Sequence, residues 1–194
     1  MKDESSYKLT GMEEANYAVV AYIPGKLGDF LDKLRCRFDP LYAKWMAHVT
    51  ILPPRPLPQP IDPQLEMIRN QCALIQPFEA AIGGVSTFLP VTGVIYLSVS
   101  QGSDRLTNLH GALNSGRMAR REPYPYVPHV TVAQLVNGNI SAALITEVRQ
   151  EWARYGGNPS FQVSSLFLVQ QTSDNRWIDL APIPLGGLLE SSRR

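Results

Sequence analysis

The chain has almost no excess charge: 18 Lys and Arg stand against 17 Asp and Glu, a formal net charge of +1. So small an excess creates no bulk field for a polyanion, which argues against sequence-independent gripping of duplex DNA as the main task. Any anion site must be local. Cysteine is scarce, two in 194 residues. Cys36 and Cys72 form no Cys-x-x-Cys pair, so no metal framework is visible. Reduced thiols of a cytoplasmic protein are expected, with a single bridge as the alternative. There are three histidines and no His-Glu-x-x-His, whereas a catalytic zinc normally takes three protein ligands. The Gly-x-x-x-x-Gly-Lys-Ser/Thr loop that cradles ATP is missing too. No apolar run approaches the ~20 residues of a membrane helix. The polar opening, Met1 to Ser6, lacks the apolar core of a signal peptide. With 44% hydrophobic and 18% charged residues, a folded, soluble, cytoplasmic domain is the expectation.

What is present is a short phrase used twice. Met46-Ala47-His48-Val49-Thr50-Ile51-Leu52 is echoed by Val127-Pro128-His129-Val130-Thr131-Val132-Ala133. Branched aliphatic residues of this kind favour a strand. Successive strand side chains point to opposite faces, so His48 and Thr50 share one face, as do His129 and Thr131. Val49, Ile51, Val130 and Val132 then turn toward a core. Two ordinary core strands, each holding a satisfied histidine, would give the same pattern. What speaks against that plainer reading is the organisation of the rest of the chain.

After a leader expected to be flexible (1–16), Tyr17 to Ile23 reads as a strand stopped by Pro24-Gly25. Phe30, Leu31, Leu34 and Phe38 recur at helical spacing until Asp39-Pro40. The first histidine strand follows, and Pro53 to Pro58 are expected to end its ladder in a stiff loop. Ile61, Leu65, Ile68, Cys72 and Ile75 mark a second helix, with Pro63 in its first turn. Phe78 to Leu89 reads as a strand bent at Gly83-Gly84. The order then begins again: a strand at Val94 to Val99, a helix carrying Leu106, Leu109 and Leu113, and the second histidine strand. A helix carrying Ile140, Leu144, Val148, Trp152 and Tyr155 comes next. Phe161 to Gln170 and Arg176 to Leu180 close as a hairpin turned by Ser173-Asp174-Asn175. Each half, about 17–90 and 91–187, is thus one strand-helix-strand-helix-strand unit. Two such βαβαβ units are expected to pack as lobes about a pseudo-two-fold axis. Residues 188–194 are expected to be a flexible tail. Duplication gives the twin motif a reason, because equivalent strands would line one cleft between lobes, where small-molecule sites commonly lie.

Two His-x-Thr-x motifs, one per half of a duplicated chain, resemble those of the two-histidine (2H) phosphoesterase superfamily, most closely its bacterial 2′-5′ RNA ligase-like and cyclic phosphodiesterase branch. The resemblance runs from about Tyr17 to Gly187 and implies an α+β fold: duplicated βαβαβ units packed as two pseudo-symmetric lobes, with mostly antiparallel curved sheets around a central cleft. It implies metal-independent chemistry, without a cofactor, on 2′,3′-cyclic or 2′-5′ phosphodiesters of nucleotides or RNA ends. It implies that His48 and His129 are the acid/base pair and that Thr50 and Thr131 bind phosphate. The residue types suit that work. Imidazole is accessible in both protonation states near neutrality, and a threonine hydroxyl can donate to a non-bridging phosphate oxygen. A binding module that holds a phosphorylated nucleotide or RNA end without turnover is the competing reading.

Further candidates carry weaker signals. Arg55, leaving the first histidine strand, is a candidate for bidentate phosphate contact; the plainer reading is an exposed loop arginine. Arg117, Arg120 and Arg121, with Tyr124 and Tyr126, are candidates to hold a nucleotide by charge and base stacking; the plainer reading is a solvated loop. His110 lacks a threonine two residues on and is expected at the edge of a helix's apolar stripe, away from the cleft. A small phosphodiester nucleotide or RNA terminus is the expected partner, taken by a monomer.

Overall fold

A computed structural model describes residues 15–39, 45–135 and 140–187. The expected tail lies outside these residues, as does the expected leader up to residue 14. Among the described residues, eight strands and four α-helices follow in the order β1 (Asn16–Tyr22), α1 (Gly25–Phe38), β2 (His48–Pro56), α2 (Asp62–Ala73), β3 (Phe78–Thr87), β4 (Val94–Gln101), α3 (Ser103–Leu113), β5 (His129–Gln134), α4 (Ala142–Trp152), β6 (Ser160–Val163), β7 (Ser165–Gln171) and β8 (Trp177–Pro184). The fold is α+β, with two four-stranded antiparallel sheets ordered β2-β1-β7-β8 and β5-β4-β3-β6. Each sheet places its histidine strand at an edge, beside the first strand of the same repeat.

Lobes and sequence halves do not coincide, however. β3 comes from the first half but pairs with β4 and β6 in the second sheet. β7 and β8 come from the second half and complete the first sheet. The stretch expected as one strand, Phe161 to Gln170, is therefore two. β6 and β7 belong to different sheets and break at Ser164. Apolar patterning cannot reveal that break, because residues on both sides of it are equally suited to a core-facing strand.

The helices cross over as well: α1 packs against β5, and α3 against β2. Val49, Ile51, Val130 and Val132 are buried in one continuous core with Leu31, Leu34, Leu106 and Leu109. At ~25 cal/mol per Å² of apolar surface, burying each such side chain is worth ~1.5–3 kcal/mol. Gly28 permits the tight entry into α1, since a Cβ there would lie 1.9 Å from the Ile23 carbonyl oxygen.

Two local expectations change. β2 does not stop at Pro53 but continues to Pro56, pairing Arg55 with Tyr17 and Pro56 with Asn16. Prolines are tolerated there because β2 is an edge strand and needs ladder bonds on one side only. The expected bend in β3 is present as a break in register between Ile82 and Val85. Cys36 is exposed and Cys72 buried, both as free thiols, so the alternative of a bridge falls away. Among the described residues, no helix is long and apolar enough to cross a membrane.

Candidate active site

The two motifs are built alike. In β2 the residues His48-Val49-Thr50-Ile51 alternate partly exposed and buried, and His129-Val130-Thr131-Val132 in β5 repeat the alternation. Val20 of β1 lies opposite Thr50 and Tyr22 opposite His48; on the other sheet Tyr96 lies opposite Thr131 and Ser98 opposite His129. The edge positions of β2 and β5 bring the strands into contact with one another. A cleft of about 530 Å³, counting its open mouth, is lined by His48, Thr50 and Thr131 together with Ala18, Arg35, Trp45, Pro54, Gln134 and Trp177. His129 does not belong to this lining.

Each imidazole is fixed by the backbone just before it. Nδ1 of His48 lies 2.6 Å from the Met46 carbonyl oxygen, and Nδ1 of His129 lies 2.6 Å from that of Val127. A carbonyl only accepts, so Nδ1 carries the proton and donates. Nε2 is left as the nitrogen able to accept a proton. Rings hold them laterally. Trp45 packs on His48 with centroids 3.9 Å apart, while Phe88 and Tyr96 pack edge-on against His129 at 4.9 and 5.2 Å.

Both imidazoles are biased toward the neutral form. Burial pushes His48 down to about 3, and the charges of Arg35 and His129 act in the same direction, against the Met46 hydrogen bond. Burial lowers His129 as well, opposed by the Val127 carbonyl. Such a pair is equipped to take a proton and, once an anion is bound, to hold one.

Arg35, Trp45, Gln134 and Trp177 are cleft residues that sequence reasoning missed. Arg35 is buried and donates to the Trp45 carbonyl at 2.5 Å. One signal was available, since Arg35 lies eight residues after Leu27 on the buried stripe of α1 and a charge on an apolar stripe calls for a partner. Trp177 carried none. Only the order β1-β7-β8 brings it near His48. Trp45 Nε1 donates to the Tyr22 hydroxyl at 2.7 Å, and that hydroxyl donates to Asp179 at 2.5 Å.

Other candidates go elsewhere. Arg55 is no exposed phosphate clamp: it is buried, donating to Pro53 O at 3.1 Å, Asn114 Oδ1 at 2.7 Å, Met118 O at 3.1 Å and the Glu122 carboxylate. Continuation of β2 past Pro53 turns its side chain inward. Tyr126 offers no free platform either, because His110 covers one face of its ring at 4.1 Å. Its hydroxyl donates to Thr50 O at 2.8 Å. His110 also contacts Ile51 O through Nδ1 at 2.8 Å, so it braces the back of β2. Arg117, Arg121 and Tyr124 are exposed and outside the cleft lining, and Arg120 reaches Pro54 O at 3.5 Å. Among the described residues, no three His, Cys, Asp or Glu side chains converge as metal ligands.

A two-lobed α+β scaffold with one His-Thr strand from each lobe is the arrangement of a two-histidine phosphoesterase. The family model of the 2′-5′ RNA ligase superfamily matches residues 23–175. A protein of Oceanobacillus iheyensis named "Putative phosphoesterase" is 28% identical over 169 residues, 86% of this chain and 96% of the relative. One of the same name from Bacillus thuringiensis is 32% identical over 137 residues, covering 68% and 77%. Among solved structures, Escherichia coli LigT complexed with ATP superposes with a TM-score of 0.66 at 17% identity, over 89% of this chain and 99% of that one. A Thermus thermophilus protein, TT0787, superposes at 0.63 with 18% identity, over 89% and 98%. These last two likenesses speak to the fold alone. The chain belongs to the 2′-5′ RNA ligase superfamily and is a phosphoesterase of the two-histidine type.

Proposed function

We propose that the protein is a metal-independent phosphodiesterase of the cytoplasm. It opens 2′,3′-cyclic phosphates or cleaves 2′-5′ bonds of nucleotides or RNA ends, acting as a monomer within one bilobal domain (17–187). The observation that carries this reading is the matched seating of His48 and His129, each held through Nδ1 by a carbonyl two residues upstream. In hydrolysis of a cyclic phosphate, the neutral imidazole takes a proton from water as the new P–O bond forms. The protonated one gives its proton to the ribose oxygen as the old P–O bond breaks. Each positioned transfer is worth ~10²–10⁴-fold. Thr50 and Thr131 donate hydrogen bonds to the non-bridging oxygens, where negative charge builds. Nucleotide-sized ligands are in keeping with the relatives, since E. coli LigT has been crystallised with 3′-AMP and with ATP. The test is a panel of nucleoside 2′,3′-cyclic phosphates and 2′-5′ dinucleotides, with product regiochemistry read by NMR. Turnover abolished by His48→Ala and by His129→Ala upholds the reading. Tight nucleotide binding without turnover of any member would make the protein a binding module.

A further inference from the structure

We propose that Tyr126 is a positioning residue that aims Thr50 at the phosphate; the inference rests on the phosphodiesterase reading above. Both motif strands break register at the same place. In β2, Val20 lies opposite Thr50 and Val19 opposite Leu52, so Ile51 has no partner in β1. In β5, Tyr96 lies opposite Thr131 and Ile95 opposite Ala133, which leaves Val132 as the extra residue. Alternation of faces stops there, and Ile51 with Leu52, like Val132 with Ala133, are buried in succession. Such a bulge disrupts the ladder and re-aims a side chain. Each threonine therefore sits where the neighbouring strand controls the backbone least.

In β2 the second half of the chain supplies the missing control. The Tyr126 hydroxyl donates to the Thr50 carbonyl at 2.8 Å. That carbonyl lies in the rigid peptide plane between Thr50 and Ile51. Fixing the plane fixes ψ of Thr50, and with it the rotamers open to its hydroxyl. Tyr126 is itself held. His110 stacks on its ring at 4.1 Å with planes 3° apart, and Arg55 pins the segment before it through Asn114, the Met118 carbonyl and Glu122. Burial, helped by the Glu122 charge, raises the phenol, so it stays a donor at any working pH. His110 also meets the Ile51 carbonyl, but the plane it holds leads to Leu52, which packing already fixes in the core. The same short stretch, Tyr126 to His129, seats the second histidine through the Val127 carbonyl. It thus holds a proton-transfer group of one motif and, through Tyr126, the phosphate-binding group of the other.

The experiment is a double-mutant cycle on the full chain, Tyr126→Phe with Thr50→Val. Tyr126→Phe keeps the ring and its stack and deletes only the donor. Two quantities are read: kcat/KM for adenosine 2′,3′-cyclic phosphate, and the Kd of inorganic phosphate by calorimetry. A misplacement of about 1 Å can cost up to ~10²-fold. Alone, Tyr126→Phe is therefore expected to lower kcat/KM roughly tenfold, chiefly through kcat, and to weaken phosphate binding as well. In the Thr50→Val chain the same change should alter neither quantity, because the hydroxyl it would misdirect is gone. His110→Ala separates aim from stability: it should lower Tm with kcat/KM nearly intact. Equal losses in both backgrounds would show that Tyr126 only supports the fold, and would overturn the assignment. So would the absence of any loss in either. If the parent turns over no cyclic phosphate, the phosphodiesterase reading fails alone and the phosphate titration decides. A parent that neither turns over the substrate nor binds phosphate overturns both.

Discussion

His48 and His129 stand in the same relation to the chain before them: each Nδ1 meets, at 2.6 Å, the carbonyl oxygen two residues upstream. One tautomer is thereby selected in both rings. Replacing either by alanine removes one proton-transfer partner, so kcat is expected to fall at least ~10²-fold for each. The circular dichroism spectrum should be unchanged, because both side chains are partly exposed rather than part of the core. A single variant with a near-normal rate would rule out two-histidine catalysis.

Acidity gives a second check. Both imidazoles are lowered in the free protein, His48 to about 3 from an ordinary 6.5. kcat/KM reports the free enzyme, so its bell is expected on the acid side of pH 6.5. Bound phosphate favours the protonated form, so the profile of kcat should lie higher. Arg35→Met removes a charge that lowers His48 and should move the acid limb of kcat/KM upward. Stability follows the same sign. A group depressed in the fold contributes fully above pH 6.5 and loses that contribution as pH falls toward 3, since the unfolded chain binds the proton first. Urea denaturation from pH 7 to pH 4 should show this slope, and His48→Gln should flatten it. A kcat/KM bell centred above pH 7 would contradict the assignment.

Arg55 should matter to stability rather than to substrate. Its side chain is 3% exposed and pairs with Glu122, itself 15% exposed. Arg55→Ala leaves that carboxylate without its guanidinium partner, with the His110 Nε2 still 3.7 Å away, and is expected to cost about 3 kcal/mol in urea unfolding. KM, measured below the new Tm, should stay within about twofold. A large rise in KM at unchanged stability would return Arg55 to the phosphate. His110→Ala should likewise leave kcat nearly unchanged while lowering Tm, through loss of the stack on Tyr126 and the contact with Ile51 O.

Exhaustive chelation should leave turnover intact, because the proposed mechanism draws proton transfer and charge stabilisation from the four motif side chains, without a Lewis acid. Activity lost to EDTA and restored by one particular divalent ion would reverse that view.

The motif strands, the amphipathic helices and the duplication were legible because each depends on local periodicity. Topology was less so. That β7 rather than β3 completes the first sheet depends on the whole chain, and the break at Ser164 looks like any other step in an apolar run. The same limit explains the site. His48, Thr50, His129 and Thr131 announce themselves by spacing. Trp177 reaches the cleft only through strand order, and Arg55 looked exposed because the prolines around it were read as ending a strand that in fact continues.

Strand exchange between the halves has a consequence for how the molecule can be divided. A chain cut between residues 90 and 91 yields two pieces, neither of which holds a full sheet. The first keeps β3 with no β4 or β6 beside it, and the second keeps β7 and β8 with no β1. Neither fragment should fold alone. Mixed together, they should reassemble into an active pair, since every missing neighbour is supplied by the other piece. For this protein the duplicated unit is a repeat of sequence, while each sheet is a joint product of both halves.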